Sequence, residues 1–181
     1  MQPSTPADAV DSPAAMRSDL VRPPAPPISR ALAPPRHLRA TLEAAARLEP
    51  AVEMIVVDGG SRDETLAVAR RFGIKALSAP RGRGSQLAIG CQAARGDILW
   101  FVHADSIPPP DAVRQMVQVC EQPGRAGGYF RVRFDGSSRA ARVLTHVYAF
   151  LQWFGLRYGD SAIFVRRDAY LAAGGFRPLP L

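Results

Sequence analysis

Residues 56–65 read Val56-Val57-Asp58-Gly59-Gly60-Ser61-Arg62-Asp63-Glu64-Thr65. An apolar run from residue 54 to residue 57 precedes an acid and two glycines, and residues that often cap helices come next. This order is typical of a buried parallel strand that ends in a tight turn and leads into a helix. Ligands of such folds bind just beyond the carboxyl ends of the strands. We therefore predict a binding crevice at Asp58.

A second apolar run ends in the same way. Residues 97–103 are predicted to form the most apolar strand, and Ala104 and Asp105 follow it. The pattern between the two runs alternates between helix and strand. This alternation predicts an α/β fold, a mostly parallel sheet flanked by helices. Parallel strands end at the same edge of their sheet, so we expect Asp58 and Asp105 to share one cleft.

The composition indicates one globular domain behind a tail. The chain has 181 residues, of which 47% are hydrophobic and 22% are charged, enough for one domain with a core. Nine of the 17 prolines lie in residues 1–35. We expect residues 1–35 to be a disordered Pro/Ala-rich tail, and residues 36–181 to form the folded domain.

The net charge indicates which ligands the protein binds, and the cysteines indicate the redox state of its compartment. The net charge is +7, and all but one of the 23 basic residues are arginine, which favours anionic ligands such as nucleotide diphosphates. The arginines are scattered, so we expect no nucleic-acid binding. Cys91 and Cys120 lack metal-ligand spacing and are expected to be free thiols in a reducing compartment.

The expected location is cytoplasmic. The sequence has neither a run of about 18 apolar residues nor a secretory signal. A peripheral contact with the inner face of the membrane is the alternative. The helix predicted for residues 139–154 carries the apolar face that such a contact would use, although a core position is the preferred interpretation.

The rest of the chain is predicted to continue the alternation. Pro109 and Pro110 are expected in the first turn of a helix that ends at Cys120. Residues 127–134 alternate with period two and predict a strand with Arg131 and Arg133 on one face. Residues 161–165 predict a strand, and residues 168–173 a short helix.

Asp58 is the first candidate site residue. A carboxylate at the end of a strand can accept hydrogen bonds from a nucleobase amide or a ribose hydroxyl. Gly59 and Gly60 would let the ligand approach the backbone, and Ser61 or Asp63 could cap the following helix. The alternative is that the whole turn is only a capping device.

Asp105 is the best candidate for a metal ligand. Mg²⁺ and Mn²⁺ prefer carboxylate oxygens and often combine one or two of them with the phosphates of a substrate. His103 would point the same way along an extended segment. It is either a direct ligand or a histidine that only supports the site.

A glycine-rich loop and a later turn complete the candidate residues. Arg81 and Arg83 lie in a loop before a helix, which suits a diphosphate, although its glycine spacing is not that of a P-loop. Residues 158–160, Tyr158-Gly159-Asp160, could line an acceptor pocket, or could be a plain turn. Asp160 is the one weak candidate for a catalytic residue.

These residues together resemble family 2 glycosyltransferases, which have the GT-A fold. The resemblance extends from His37 to Phe176 and rests on residues 56–65, the loop at residues 80–84 with Gly90, and residues 94–106, which resemble the family's Asp-x-Asp strand. Tyr158-Gly159-Asp160 and residues 174–176 resemble later landmarks of the family.

The resemblance implies transfer of a sugar from a nucleotide diphosphate sugar to an acceptor hydroxyl, with inversion. Asp58 would hold the nucleoside, and Asp105 would hold a divalent cation, Mn²⁺ or Mg²⁺, on the diphosphate. The acceptor would be a glycan, a lipid or a small molecule.

Several positions depart from the family pattern. His103 stands where the family has an acid, Gly59 replaces a second acid, and Ala88 replaces an Asn. The family's first strand should precede Arg36, where we expect no central strand because of the prolines. The segment that carries the catalytic base is not found either, so we expect a GT-A domain that is incomplete at both ends.

Two other activities remain as alternatives. A pseudoenzyme would bind the nucleotide sugar without turnover. A nucleotidyltransferase would share the α/β plan and the metal-binding acids, but it should carry a basic glycine-rich loop after its first strand, and none is found.

Overall fold

The computed structural model describes residues 27–29, 35–134, 139–153 and 162–176. Its elements alternate between strands and helices along most of the chain. In order they are β1 (Pro27–Ser29), α1 (Pro35–Ala45), β2 (Ile55–Asp58), α2 (Thr65–Arg71), β3 (Lys75–Ser78), α3 (Arg83–Ala93), β4 (Ile98–Trp100), β5 (Val102–His103), α4 (Ala112–Cys120), β6 (Gly127–Gly128), α5 (Arg139–Trp153), β7 (Phe164–Arg166) and α6 (Arg167–Ala172).

The predicted parallel sheet is present. Four strands lie in the order β3-β2-β1-β5, and all of their pairings are parallel. β2 is buried along its whole length. The α/β class and the flanking helices predicted from the alternation are confirmed.

The expectation that no central strand precedes Arg36 is wrong. β1 pairs with β2 on one side and with β5 on the other, so it lies inside the parallel sheet. Pro27 is its first residue, the position in a strand where proline is tolerated, because it needs no ladder hydrogen bond from its nitrogen. The proline-rich composition hid a strand of only three residues. For residues 1–26, the disordered tail stays a prediction.

The apolar run at residues 97–103 is not one strand. β4 pairs antiparallel with β7 in a second sheet of order β4-β7-β6, whereas β5 joins the parallel sheet. Phe101 lies between them, and its N–H donates to the carbonyl oxygen of Ile163 at 2.8 Å. The run therefore passes from one sheet to the other at Phe101.

The strand predicted for residues 127–134 is much shorter. Only Gly127 and Gly128 pair with β7. Phe130 packs on Trp100 and Phe164, with ring centroids 5.5 Å and 5.6 Å away. Arg131 and Arg133 are both exposed, but they lie outside any strand, so the predicted strand face is absent.

Helices cover both faces of the central strands. One buried cluster joins α1, α2 and α4 to one side of the sheets, and a second joins α3 to the other side. Val56 and Trp100 belong to the first cluster, whereas Val57 and Leu99 belong to the second. Neighbouring residues of a strand thus face opposite layers, which is why these strands are apolar throughout.

The predicted helix boundaries shift by a few residues. α4 begins at Ala112 with Asp111 as its N-cap, so Pro109 and Pro110 precede the helix instead of occupying its first turn. The Ala112 N–H donates to the Pro109 carbonyl at 3.1 Å. The prolines therefore form the turn that leads into the helix.

Candidate functional site

Asp58 organises the turn that follows β2. Its carboxylate accepts hydrogen bonds from the N–H of Gly60 at 3.2 Å and the N–H of Ser61 at 2.9 Å, and also from the Ser61 hydroxyl. The side chain is buried, with 2% of the residue exposed. A carboxylate offers about four acceptor positions, so these three bonds use most of them.

Asp63, which precedes the N-cap residue Glu64, bonds to the first residue of α2. Its carboxylate accepts a hydrogen bond from the Thr65 N–H at 3.1 Å and one from the Thr65 hydroxyl at 2.5 Å. Thr65 is the first residue of α2. Ser61 bonds to Asp58, within the turn.

Gln86 packs directly on this turn. A Cβ added to Gly59 would lie 2.1 Å from Gln86 Nε2 and 3.8 Å from the Cα of Arg81. Gln86 is 6% exposed, so its amide is enclosed where it meets the glycine. The structure therefore brings together two sequence-predicted regions, the turn at Asp58–Ser61 and the loop at Arg81.

The loop before α3 presents a helix start without a side-chain cap. Gly82 is the N-cap, with a φ of 133° that favours glycine, and Arg83 is the first helical residue. Arg81 is exposed and Arg83 is half-buried. The first N–H groups of a helix lack partners within it, so this loop can bind an anion beside two guanidinium groups.

His103 and Asp105 flank a tight turn after β5. The Ser106 N–H donates to the His103 carbonyl at 3.1 Å, which closes the turn. His103 Nδ1 lies 4.0 Å from Asp105 Oδ1. The Asp105 side chain is 48% exposed, whereas that of His103 is 13% exposed, so the carboxylate is the accessible group of the pair.

Thr41 of α1 is hydrogen-bonded to this turn. Its hydroxyl lies 3.0 Å from the carbonyl oxygen of Ala104 and 3.1 Å from that of His37. Thr41 is fully buried. The residue between His103 and Asp105 is therefore tied to a helix of the core.

The two acidic turns lie at the same edge of one sheet. Ser29 of β1 is in register with Val57 on one side and with His103 on the other. Asp58 and Ala104 therefore leave the sheet at the same level, with β1 between them. Two strand spacings separate these backbones by about 10 Å.

A divalent cation fits the chemistry of the second turn. Two donor atoms that each bind one Mg²⁺ ion at about 2.1 Å can be no more than about 4.2 Å apart. The distance between His103 Nδ1 and Asp105 Oδ1 is within that limit. No cluster of three His, Cys, Asp or Glu side chains suited to a metal occurs within the described ranges.

Sequence reasoning did not identify Gln86 or Thr41 as site residues. Both are polar side chains buried at helix positions next to apolar ones, Leu87 and Leu42. A polar residue on an otherwise apolar helix face indicates a buried hydrogen bond, because a buried polar group needs a polar partner. The sequence does not say which partner that is.

Tyr158, Gly159 and Asp160 lie outside the described residues. A cavity of about 460 Å³ lies at the amino ends of β2 and β3. It is lined by residues 52–54, residues 72–75 and Arg95, so it is separate from the two acidic turns.

Comparison with known proteins identifies the family. The family described as Glycosyl transferase family 2 matches residues 35–175. The chain belongs to glycosyltransferase family 2. The matched region holds both acidic turns and the Arg81 loop, and it includes nearly all of the described fold.

Curated relatives share parts of this region. An undecaprenyl-phosphate 4-deoxy-4-formamido-L-arabinose transferase of Pseudomonas aeruginosa is 35% identical over 116 residues, which is 60% of this chain and 32% of the relative. An uncharacterized glycosyltransferase of Mycobacterium tuberculosis is 35% identical over 85 residues, 44% of this chain and 32% of the relative. The family 2 chain thus spans about a third of these relatives.

Solved structures share its fold. A mannosyltransferase of Pyrobaculum calidifontis in complex with GDP-Man and Mn²⁺ has a TM-score of 0.63 at 20% identity, over 86% of this chain and 48% of that one. Glucosyl-3-phosphoglycerate synthase of Mycobacterium tuberculosis, in complex with Mn²⁺, UDP and glucosyl-3-phosphoglycerate, has a TM-score of 0.57 at 21% identity, over 81% of this chain and 57% of that one. The GT-A fold predicted from the resemblance is confirmed.

Proposed function

We propose that this family 2 chain binds a nucleotide diphosphate sugar at the carboxyl edge of its parallel sheet and transfers the sugar to an acceptor hydroxyl with inversion. The observation that carries the proposal is the shared register of β2 and β5 on β1, which sets the Asp58 turn and the His103–Asp105 turn at one level of one edge. Two turns can bind different parts of one ligand only if they lie at the same edge of the sheet.

The nucleoside is assigned to the turn at residues 58–61. Asp58 already accepts three hydrogen bonds from Gly60 and Ser61, so its first task is to hold the turn in shape. About one acceptor position remains for a ribose hydroxyl or a base amide. Gly60 would let the ligand approach the backbone, because no atom of the described residues lies within 4 Å of a Cβ built there.

The diphosphate is assigned to the space between Arg81 and Asp105. The Arg81 and Arg83 guanidinium groups and the start of α3 supply hydrogen-bond donors and positive charge. His103 and Asp105 would hold Mn²⁺ or Mg²⁺, which neutralises the charge that develops on the leaving diphosphate. Mn²⁺ in complexes of two proteins of similar fold supports this assignment.

Inversion requires the acceptor to attack the anomeric carbon from the side opposite the diphosphate, with a carboxylate as general base. Asp160, with Tyr158 and Gly159 on the acceptor side, remains the prediction for this role. The similar proteins include an undecaprenyl-phosphate 4-deoxy-4-formamido-L-arabinose transferase and a glucosyl-3-phosphoglycerate synthase. The acceptor panel therefore includes a lipid, a glycan and a small hydroxy acid. We place the reaction in the cytoplasm, where nucleotide sugars would supply the donor.

Isothermal titration calorimetry with GDP and UDP, in Mn²⁺ and in chelator, tests the site. Asp105→Asn should remove the increase in affinity that Mn²⁺ produces, about tenfold or more, because the neutral amide is a poor ligand for the ion. Asp58→Asn should weaken binding both with Mn²⁺ and with chelator, because it acts on the nucleoside side.

Glu43→Gln is the matched control, since Glu43 is an exposed acid on α1. Unchanged affinity in Asp105→Asn, or an equal loss in Glu43→Gln, would contradict the metal assignment. Release of nucleoside diphosphate from a labelled donor, with and without the acceptor panel, separates an active transferase from a protein that binds without turnover.

A further inference from the structure

The outer face of α5 is apolar and exposed. Five of its side chains define what we call the α5 apolar surface: Val143, Leu144, Val147, Phe150 and Trp153, which are exposed by 59%, 44%, 43%, 57% and 81%. At 100° per residue, Val143, Val147 and Phe150 form one stripe, with Leu144 and Trp153 on its two sides.

The opposite side of α5 is tied to the rest of the chain. The Phe134 N–H donates to the Thr145 hydroxyl at 3.2 Å. Thr145 lies about half a turn around the helix from the apolar stripe. The hydrogen bond therefore lies on the side of α5 opposite the apolar stripe.

Among the described residues of α5 and of residues 131–134, the exposed charged side chains are positive. The sequence of α5 contains no Asp or Glu. Arg139 is exposed and falls on the same side of the helix as the stripe, one turn before Val143. Arg131 and Arg133 are also exposed, in the segment that leads to Phe134.

We propose that the α5 apolar surface docks on an anionic lipid bilayer, with its apolar side chains in the interface and Arg139 at the level of the headgroups. Helices that bind in the plane of a membrane combine a wide apolar face, an aromatic residue and basic residues in this way. A second copy of the chain would fit less well, because this helix offers no carboxylate to pair with Arg139 of the other copy. Within the described ranges, no helix has the length and apolar composition needed to cross a bilayer, so the contact is peripheral.

Vesicles of phosphatidylglycerol and phosphatidylcholine, compared with pure phosphatidylcholine, provide the test on the full chain. Tryptophan fluorescence can report on the α5 apolar surface separately from the core, because Trp153 is 81% exposed and Trp100 is 1% exposed. Brominated anionic lipid should quench Trp153 and leave Trp100 unchanged. Co-sedimentation with anionic vesicles should fall with added salt and be much weaker with neutral ones.

Phe150→Ser/Val147→Ser should lower the partition coefficient on anionic vesicles by about tenfold or more, since it removes two apolar groups from the interface. Leu171→Ser is the matched control, because Leu171 is 63% exposed on α6, outside the surface. Arg139→Gln should reduce binding to anionic vesicles only. The proposal would be overturned if the protein did not bind vesicles, or if Leu171→Ser reduced binding as much as the double variant does. It would also be overturned if light scattering showed a dimer that the double variant dissociates, and this result would assign the surface to a second copy.

Discussion

The side-chain amide of Gln86 occupies the space in which a side chain at Gly59 would lie. A Cβ at Gly59 would be 2.1 Å from Gln86 Nε2 and 3.1 Å from its Cδ. The glycine belongs to the turn after β2, and Gln86 belongs to the first turns of α3. This contact joins the turn assigned to the nucleoside to the loop assigned to the diphosphate.

Gly59→Ala should destabilise the fold by about 1–3 kcal/mol, because the new methyl group displaces the enclosed Gln86 amide. The double variant Gly59→Ala/Gln86→Ala should regain much of this loss, since the shorter side chain leaves room for the methyl group. Urea denaturation of the single and double variants measures both effects.

Gly60→Ala is the control for this pair. Gly60 has a φ of +90°, and no atom of the described residues lies within 4 Å of a Cβ built there. Its substitution acts through backbone strain, so Gln86→Ala should not relieve it. If Gln86→Ala compensated both alanine variants equally, the proposed contact would be wrong. If the compensated double variant still bound GDP or UDP weakly, the Gln86 amide itself would belong to the donor site.

Thr41→Val should lower stability by about 0.5–1.5 kcal/mol, because the Ala104 carbonyl loses its buried hydroxyl partner. It should also weaken the Mn²⁺-dependent part of nucleotide affinity, since Ala104 separates His103 from Asp105. Thr41→Ser keeps the hydroxyl and should preserve that affinity. Calorimetry in which the valine and serine variants behave alike would show that the hydroxyl does not position the turn.

Arg167 should be a stabilising residue because it joins the start of α6 to the segment between α3 and β4. Its Nε donates to the Gly96 carbonyl at 2.8 Å, and its Nη2 donates to the Ala94 carbonyl. Arg167→Met removes both charged donors and should cost about 1.5–3 kcal/mol in the free energy of unfolding. The neighbouring Arg166→Met, which removes only a pair with Asp168 at the surface, should have little effect. Equal losses in the two variants would contradict the assignment.

Stability should fall at high pH because of Cys91. Burial raises the pKa of this thiol from 9.0 to about 11, although a hydrogen bond with Tyr170 and the charge of Arg167 lower it. Between these values the unfolded chain has released the proton while the folded chain retains it. The stabilisation is thus complete below pH 9 and is lost as the pH rises to about 11.

Urea denaturation at about pH 8 and at about pH 10.5 measures the loss. Cys91→Ala should reduce the difference between the two pH values. Cys120, whose pKa burial also raises, should act in the same direction, so the double alanine variant should show a smaller difference than either single one. A pH dependence unchanged in the double variant would contradict this account.

The predictions that succeeded depend on local chemistry. Residues 54–65 predicted a buried strand, a turn and a helix because an apolar run, two glycines and capping residues follow one another. The expectation that no central strand precedes Arg36 was wrong because proline dominates the residues around β1. The sheet requires only three residues between β2 and β5, so a strand this short fits among the prolines. The site pairing of Gly59 with Gln86 could not be predicted, since a glycine does not indicate which side chain will cover it.

The sequence by itself determined the α/β alternation, the family and the two acids at strand ends, because periodicity, turn chemistry and motif spacing are local properties. Only the tertiary structure decided that β1 enters the parallel sheet, that the run at residues 97–103 divides at Phe101, and that Gln86 and Thr41 support the two acidic turns. The physical reason is that strand pairing and side-chain packing join residues far apart in the chain. Their partners are selected by the geometry of the whole core.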